Sequence, residues 1–363
     1  MHLDELPTPA LLLDRPKLER NLTRMADRAR RLGVRLRPHV KTHKSIPIGS
    51  RQLELGACGI TVSTLQEAAT FADAGFDDVT WAFPVILSRL DELARMADRI
   101  RLDVLVDSLV AVEALESLER PVSVFLKVDC GYHRAGVDPA SPLARKLAHR
   151  IEGSGRLRFA GLLTHAGQAY HRRGREALLE VARQERDRLV ELAEALRADG
   201  IAVPTVSIGS TPTMSIVDHL GGVDEIRPGN YAFYDLSQVV FGACEVSDCA
   251  LTVLASVVSA QPGSRRGVID AGALALSKDA GPTDLGHDVM GALFADYDAG
   301  RLDRARRLVG LSQEHGLVEG DFTVGERVRV LPNHSCLTAA QFDTYVVVEG
   351  DTVVDRWPIA RQR

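Results

Sequence analysis

Lys41 is the residue with the plainest chemistry. It follows Arg35, Arg37 and His39, which alternate onto one face of a strand candidate at 34–40. A lysine aimed into a pocket beside other cations has a lowered pKa, and its free amine can condense with a carbonyl. Lys44 lies further into the loop and reads as solvated. Later segments add polar groups: DCGYHRAG brings Asp129, His133 and Arg134, and THAGQAYH brings His165 and Tyr170. GSTPT supplies Gly209, Ser210 and Thr211, and RPGNYAFYD supplies Arg227, Gly229, Asn230 and Tyr231. A Gly-Ser-Thr turn after a strand offers N–H groups and hydroxyls, and together with Gly229-Asn230 it could cradle a phosphate. Near the other end, PNHSC carries His334 and Cys336. In an extended chain the i, i+2 spacing puts both on one face, and imidazole plus thiolate is a ligand pair for zinc. The bland alternative is a buried cysteine beside an ordinary histidine. Glu314-His315-Gly316 is a candidate further contributor to such a site.

Strands have to bring these residues together. Short apolar or β-branched runs occur at 34–40, 59–63, 79–83, 102–107, 122–129, 158–164, 204–208 and 224–227. Between them lie amphipathic segments at 64–74, 88–98, 108–118, 141–152 and 173–199, with apolar residues at the helical period. The link between the last two strands leaves room only for a short helix. Eight strands separated by helices predict a (β/α)8 TIM-type barrel, with an open doubly wound sheet as the alternative. In a barrel the residues named above all follow strand C-termini, where active sites are built. An earlier run, 10–14, is a further strand candidate, and Pro16 opens a helix after it. After residue 243 the texture turns to alternating β runs at 250–260, 266–270, 322–331 and 344–355, with Gly350-Asp351 marking a hairpin. This predicts a C-terminal β domain. Residues 273–320 are harder to read, and 298–308 is expected to form a short helix.

Composition excludes several classes. The 363 residues are 45% hydrophobic and 26% charged, the balance of an ordinary globular chain. A net charge of −5 without any polybasic block argues against nucleic-acid binding. No apolar run is long enough to span a membrane. MHLDELPTPA does not read as a secretory signal, and five scattered cysteines without a CxxC give no disulfide framework, so the expected compartment is the cytoplasm.

Taken in order, RPHVKTHK, DCGYHRAG, GSTPT, RPGNYAFYD and PNHSC resemble the D-serine dehydratase and D-threonine aldolase family, fold-type III pyridoxal-phosphate enzymes built like alanine racemase. The resemblance runs from about Thr8 to Ala340. It implies an alanine racemase-like barrel at 12–243, a β domain from 1–11 and 244–363 carrying the metal pair, and a homodimer with its active sites near the interface. By position, Lys41 looks like the lysine that carries the cofactor. Gly209, Ser210, Thr211, Gly229, Asn230 and Tyr231 look like the phosphate cradle, Arg134 and Arg227 like ring contacts, and His165 and Tyr170 like active-site wall. His334 and Cys336 match the family's pair for a divalent metal, zinc or alternatively manganese.

Within this family, His-x-Cys and GSTP go with dehydratases, whereas His-x-Asp and a GGGT-type turn go with aldolases. The implied activity is therefore metal-dependent β-elimination from a β-hydroxy D-amino acid, with D-serine dehydratase first. Retro-aldol cleavage, with His165 as base, is the alternative, and an amino-acid racemase without a metal comes third.

Overall fold

The computed structural model describes residues 1–261 and 263–361. The chain opens with β1 (Ala10–Asp14) and a helix, Arg15–Leu32, entered through Asp14, which accepts the Lys17 N–H, and Pro16. Eight parallel strands follow: β2 (Arg35–Leu36), β3 (Ile60–Val62), β4 (Asp78–Pro84), β5 (Arg101–Val106), β6 (Val122–Lys127), β7 (Leu157–Leu163), β8 (Val206–Ile208) and β9 (Glu225–Ile226). Their order is β2-β9-β8-β7-β6-β5-β4-β3. The ring closes where His39 bridges Thr61 and the Thr61 N–H donates to the Pro38 carbonyl at 2.9 Å. These eight strands are the ones expected from sequence.

The expected strand at 34–40 is much shorter than its pattern. Pro38 has no N–H for a ladder. The chain keeps single contacts to the sheet through His39, whose N–H donates to the Pro228 carbonyl at 3.0 Å, and then turns as 3-10 helix over Val40–Thr42, which puts Lys41 on a turn rather than a strand end. Between the strands and the surrounding helices, Ile60, Val62, Val104, Val106, Val124, Leu126, Ile208 and Ile226 are fully buried, while the alternate residues, among them Asp103, Phe125, Lys127 and Glu225, face the inside of the ring. Each apolar side chain of the helix-facing set contributes about 1.5–3 kcal/mol. That set of Val, Ile and Leu is why the strands were visible in the sequence.

The second domain is a nine-stranded sheet built from β1 and β10 (Leu251–Ala260), β11 (Arg266–Ile269), β12 (Gly291–Asp296), β13 (Arg301–Leu311), β14 (Gly316–Glu319), β15 (Arg327–Pro332), β16 (Thr344–Glu349) and β17 (Thr352–Pro358). All of β1 lies in this sheet, antiparallel to β10 and parallel to β16. Gly350, at φ 58°, turns the β16–β17 hairpin as expected. One expectation fails: 298–308 is not a helix. Gly300, at φ 62°, turns the chain, and β13 then pairs with both β12 and β14. Arginine-rich RLDRARRL has good helix propensity, but pairing on both sides overrides it. Among the described residues no helix is long and apolar enough to cross a membrane.

Candidate active site

A cavity of about 640 Å³ opens at the C-terminal end of the barrel strands, within the range of small-molecule sites. Every residue singled out above as cofactor, catalytic or metal candidate lines it except Tyr231. Tyr231 is turned into the core. Its backbone N–H donates to Thr211 Oγ1 at 3.1 Å and its phenol accepts from Gln52 at 2.9 Å. Lys44 and the Glu314-His315-Gly316 turn also lie outside the cavity lining. Lys44 is partly buried rather than solvated, with Nζ 4.0 Å from Glu67.

The cavity is cationic. Lys41 lines it and is accessible to solvent. Burial lowers its pKa, the Cys336 thiolate opposes that shift, and Arg134 adds to it. Burial, then the charges of Lys41, Arg134, Lys127 and Arg227, holds the His165 imidazole well below its ordinary range. His165 is therefore neutral, and its ring sits 6.1 Å from that of Tyr170. Arg227 lies on the floor, where it donates to Ser207 Oγ and the Thr164 carbonyl; burial brings its pKa down to about 10. Arg134 stands at the rim over the Tyr132 ring. Its loop is shaped by Asp129, whose Oδ1 accepts the N–H groups of Gly131, Tyr132 and His133 at 2.9, 3.0 and 3.0 Å.

Two turns fit a phosphate. Gly229 packs so closely on the turn before Lys41 that a Cβ there would meet the His39 carbonyl at 2.6 Å and Thr42 Oγ1 at 3.0 Å. Across from it, Ser210 caps the short helix Thr211–Ile216, within a capping box with Thr213. Two of the expected donors are already engaged: the Gly209 N–H donates to Glu185 and the Ser210 N–H to Thr213. Buried His39 Nδ1 and Asn230 Oδ1 have no partner among the described residues, as expected of groups that face a ligand.

The β domain reaches over this mouth. Barrel residue Asp235 accepts the Ser335 N–H at 2.9 Å, and the Asn230 amide donates to Ser335 Oγ at 2.9 Å. Ser237 Oγ donates to the Asn333 carbonyl at 2.7 Å, and the Tyr345 phenol to the His43 carbonyl at 2.7 Å. These bonds seat the helix Ser335–Ala339 on the barrel. His334 is its N-cap and Cys336 lies in its first turn, so the pair is not in extended chain as the spacing argument assumed. They face one another nonetheless: the thiol is within hydrogen-bond reach of the imidazole and contacts Thr42 Oγ1 at 3.2 Å. Cys336 is lowered by the His334 cation against the opposing effect of burial. A soft thiolate and an imidazole fit a borderline-soft divalent ion. Among the described residues no third His, Cys, Asp or Glu completes a cluster, so such an ion keeps open positions.

The sequence reading passed over Lys127, Glu185 and Asp279. Lys127 ends β6 inside the cavity, and burial brings its pKa down to about 8. A lysine interrupting the apolar run VSVFL was the available signal. Glu185 lies behind the wall and accepts the N–H groups of Ala166 and Gly209 at 2.9 and 3.0 Å. It sits mid-helix among many other charges, and no pattern marks it. Asp279 Oδ2 meets His334 Nδ1 at 2.7 Å from a loop that carries no signature.

Comparison with known proteins agrees with this architecture. Residues 13–237 match the alanine racemase N-terminal domain family and 250–348 a serine dehydratase domain family. The chain is 39% identical to D-threo-3-hydroxyaspartate dehydratase of Delftia sp. (strain HT23), with 97% of each chain covered. It is 35% identical to D-serine dehydratase of Dictyostelium discoideum over 97% of this chain and 96% of that one. Against D-threonine aldolase of Arthrobacter sp the identity is 33%, covering 99% and 93%. A solved cysteine-to-alanine mutant of D-threo-3-hydroxyaspartate dehydratase, in the metal-free form, superposes with a TM-score of 0.93 at 38% identity, covering 99% of both chains. A histidine-to-alanine mutant of that enzyme has also been solved, and the two mutated positions have the His-x-Cys spacing.

Proposed function

Because the chain belongs to the D-serine dehydratase and D-threonine aldolase family of the alanine racemase fold and is a lyase, we propose that it removes water from a β-hydroxy D-amino acid, with D-serine or a 3-hydroxy acid of that configuration as substrate. One observation carries the reading. A lysine with a lowered pKa from the barrel and a His-Cys pair from the β domain line the same cavity. Pyridoxal phosphate, when bound, supplies an electron sink that makes the substrate Cα–H acidic. A divalent ion supplies Lewis acidity at the β-oxygen.

The chain's own groups divide the remaining work. Thr211, the Ser210 hydroxyl and the backbone at Gly229 and Asn230 would hold the phosphate, with Gly209 and the engaged Ser210 N–H shaping the turn. Arg227 and Arg134 face the ring, and Tyr170 walls it. Lys41 carries the cofactor. Once its amine is free, the lowered pKa leaves a larger neutral fraction able to accept the Cα proton at Nζ. His334 and Cys336 hold the ion, zinc first and manganese second, where hydroxide departs from Cβ. The enamine left by loss of water is released and takes up water to give a 2-oxo acid and ammonia. Neutral His165 supports the second reading, aldol cleavage, because it could accept the β-hydroxyl proton. His-x-Cys and GSTP favour elimination.

The same reading takes 12–243 as the catalytic domain, with 1–11 and 244–363 as its β domain, except that Leu12–Asp14 finish β1 and pair within the β domain's sheet. It also includes a homodimer, and exposed Phe83, Ile86 and Leu87 beside the mouth offer an apolar surface for a second copy. The test is incubation of the purified protein with D-serine, D-threonine and D-threo-3-hydroxyaspartate, with and without chelator. Chelator-sensitive 2-oxo acid supports elimination. Glycine plus an aldehyde would replace it with aldol cleavage, and 2-oxo acid formation that survives full metal removal would overturn the role of the pair.

A further inference from the structure

We propose that Asp279 is a positioning residue for the His334–Cys336 pair, holding the His334 ring so that Nδ1 carries the proton and Nε2 is the ligand. This inference rests on the reading of that pair as metal ligands. A histidine that binds a metal through one nitrogen must keep its proton on the other. A carboxylate at that second nitrogen selects the tautomer, fixes the ring and makes the ligand nitrogen more basic.

A half-exposed Asp–His contact is by itself an ordinary surface pair contributing little. Several features separate this one. The Asp279 carboxylate is fixed within its own loop: Oδ1 accepts the Gly281 N–H at 2.8 Å, while Oδ2 takes His334 Nδ1 at 2.7 Å. Asn333, the residue before His334, donates its amide to the Asp279 carbonyl at 3.1 Å and to the Val289 carbonyl at 2.8 Å. Its oxygen is bonded to His287 Nε2 at 2.8 Å. The loop and the PNHSC segment are thus tied twice, once through the Asp279 side chain and once through its backbone. Gly281 permits the approach: its φ is +69°, and a Cβ there would press on His287 at 2.9 Å and Asn333 at 3.3 Å. With Nδ1 taken, Nε2 is the nitrogen left for the Cys336 side of the ring.

Removing the carboxylate should cost about 10–100-fold in metal affinity, the usual effect of losing such a partner. The test is a Co2+ titration of the full-length, chelator-stripped protein, following thiolate-to-cobalt charge-transfer absorption, with Zn2+ competition. Wild type is compared with Asp279→Ala, Asp279→Asn and Cys336→Ala. The expected result is a charge-transfer band in wild type and none in Cys336→Ala. Asp279→Ala should show the wild-type band position at about 10–100-fold weaker affinity. Asp279→Asn should fall between, because its amide oxygen still accepts the Nδ1 proton without the charge. The metal-free proteins should unfold at the same denaturant concentration. Wild-type affinity in Asp279→Ala, with the band still lost in Cys336→Ala, overturns the positioning role and leaves the ligand reading standing. A shifted band in Asp279→Ala would make Asp279 a ligand and also overturns it. Absence of cobalt binding in wild type removes the ligand reading, and the proposal with it.

Discussion

The two ends of the barrel treat buried cations in opposite ways. At the N-terminal end, Arg37 donates to Glu225 at 2.8 Å and to Asp78 at 2.6 Å. The Glu225 charge leads in holding the Arg37 pKa above its ordinary value against burial, and Glu225 is in turn held down by Arg37. A small cavity of about 150 Å³ sits there, edged by Arg35, Arg101 and Arg158. At the C-terminal end, Lys41, Lys127 and Arg227 line a cavity whose described lining holds no carboxylate, and burial lowers all three. One end neutralises its charges internally and serves stability. The other turns its positive charge towards the cavity, with the carboxylates of Glu185 and Glu225 set behind the lining, an arrangement that favours an anion in the cavity. A single line of hydrogen bonds joins the ends: Ser207 Oγ donates to Glu225 at 2.7 Å and accepts from Arg227.

The contrast can be broken most sharply at Lys41. Lys41→Ala should lower turnover about 10³-fold or more, since both the covalent link and the base are lost. Its unfolding midpoint should stay near that of wild type. Borohydride reduction and peptide mapping of the holoenzyme should find the pyridoxyl group on Lys41; finding it on Lys44 would move the assignment.

At the other end the expectation reverses. Arg37→Met strands Glu225 and Asp78 and should cost about 3–5 kcal/mol in urea unfolding. Cofactor affinity should hardly change. A stable Arg37→Met protein would mean that the lower network carries less than its geometry implies.

Acid and alkali should separate the ends as well. Lys127 sits at about 8 in the fold against an ordinary 10.5, so between those values the unfolded chain binds more protons. The Lys127 contribution to the stability of the cofactor-free protein should therefore rise with pH across that window, and Lys127→Met should remove that share of the pH dependence. Glu225 lies below its ordinary 4.5. Its contribution is complete above that pH and is lost as the pH falls through the folded value. Denaturant midpoints at closely spaced pH values test both limbs.

Smaller effects are expected at the phosphate turn and on the rim of the lower end. Thr211→Val should weaken cofactor retention about tenfold, the loss of one bond to a charged group; unchanged retention would count against the cradle. Arg158 is exposed and 4.0 Å from Asp103, so Arg158→Ala should shift stability by no more than about 0.5 kcal/mol. A larger loss would show that the lower arginines act as one network.

The upper end was legible in the sequence because its residues follow strands. Strand β6 reads as an apolar run, and the loop behind it as DCGYHRAG. The barrel was legible because the helix-facing side of each strand carries Val, Ile and Leu, even where Thr61, Asp103, Ser123 and Ser207 alternate with them. The lower network was not. Arg37 looked like one more cation on the way to Lys41, and nothing local reveals that Glu225, far along the chain, neutralises it. Residues 273–320 were opaque for a related reason. β12, β13 and β14 hold their shape through one another, and RLDRARRL carries helical propensity that only its neighbours overrule. Asp279 sits in that stretch, so its bond to His334 could be found only in three dimensions.

The placement of β1 has a consequence for synthesis. This strand is made before the barrel strands, yet it pairs with β10 through Leu12↔Thr252 and with β16 through Leu12↔Val346. The barrel can close while translation continues, since its contacts lie within the emerged chain, whereas β1 must wait unpaired until the last strands appear. A five-residue segment with three leucines is then an exposed edge for the whole of that interval. His334 and Cys336 also follow every barrel strand in chain order, so under the proposed reading a nascent barrel could acquire its cofactor before the pair proposed for the metal is made. Assembly order thus places binding ahead of catalysis, and it makes the closing of β1 between β10 and β16 the step that ends the chain's vulnerability to aggregation.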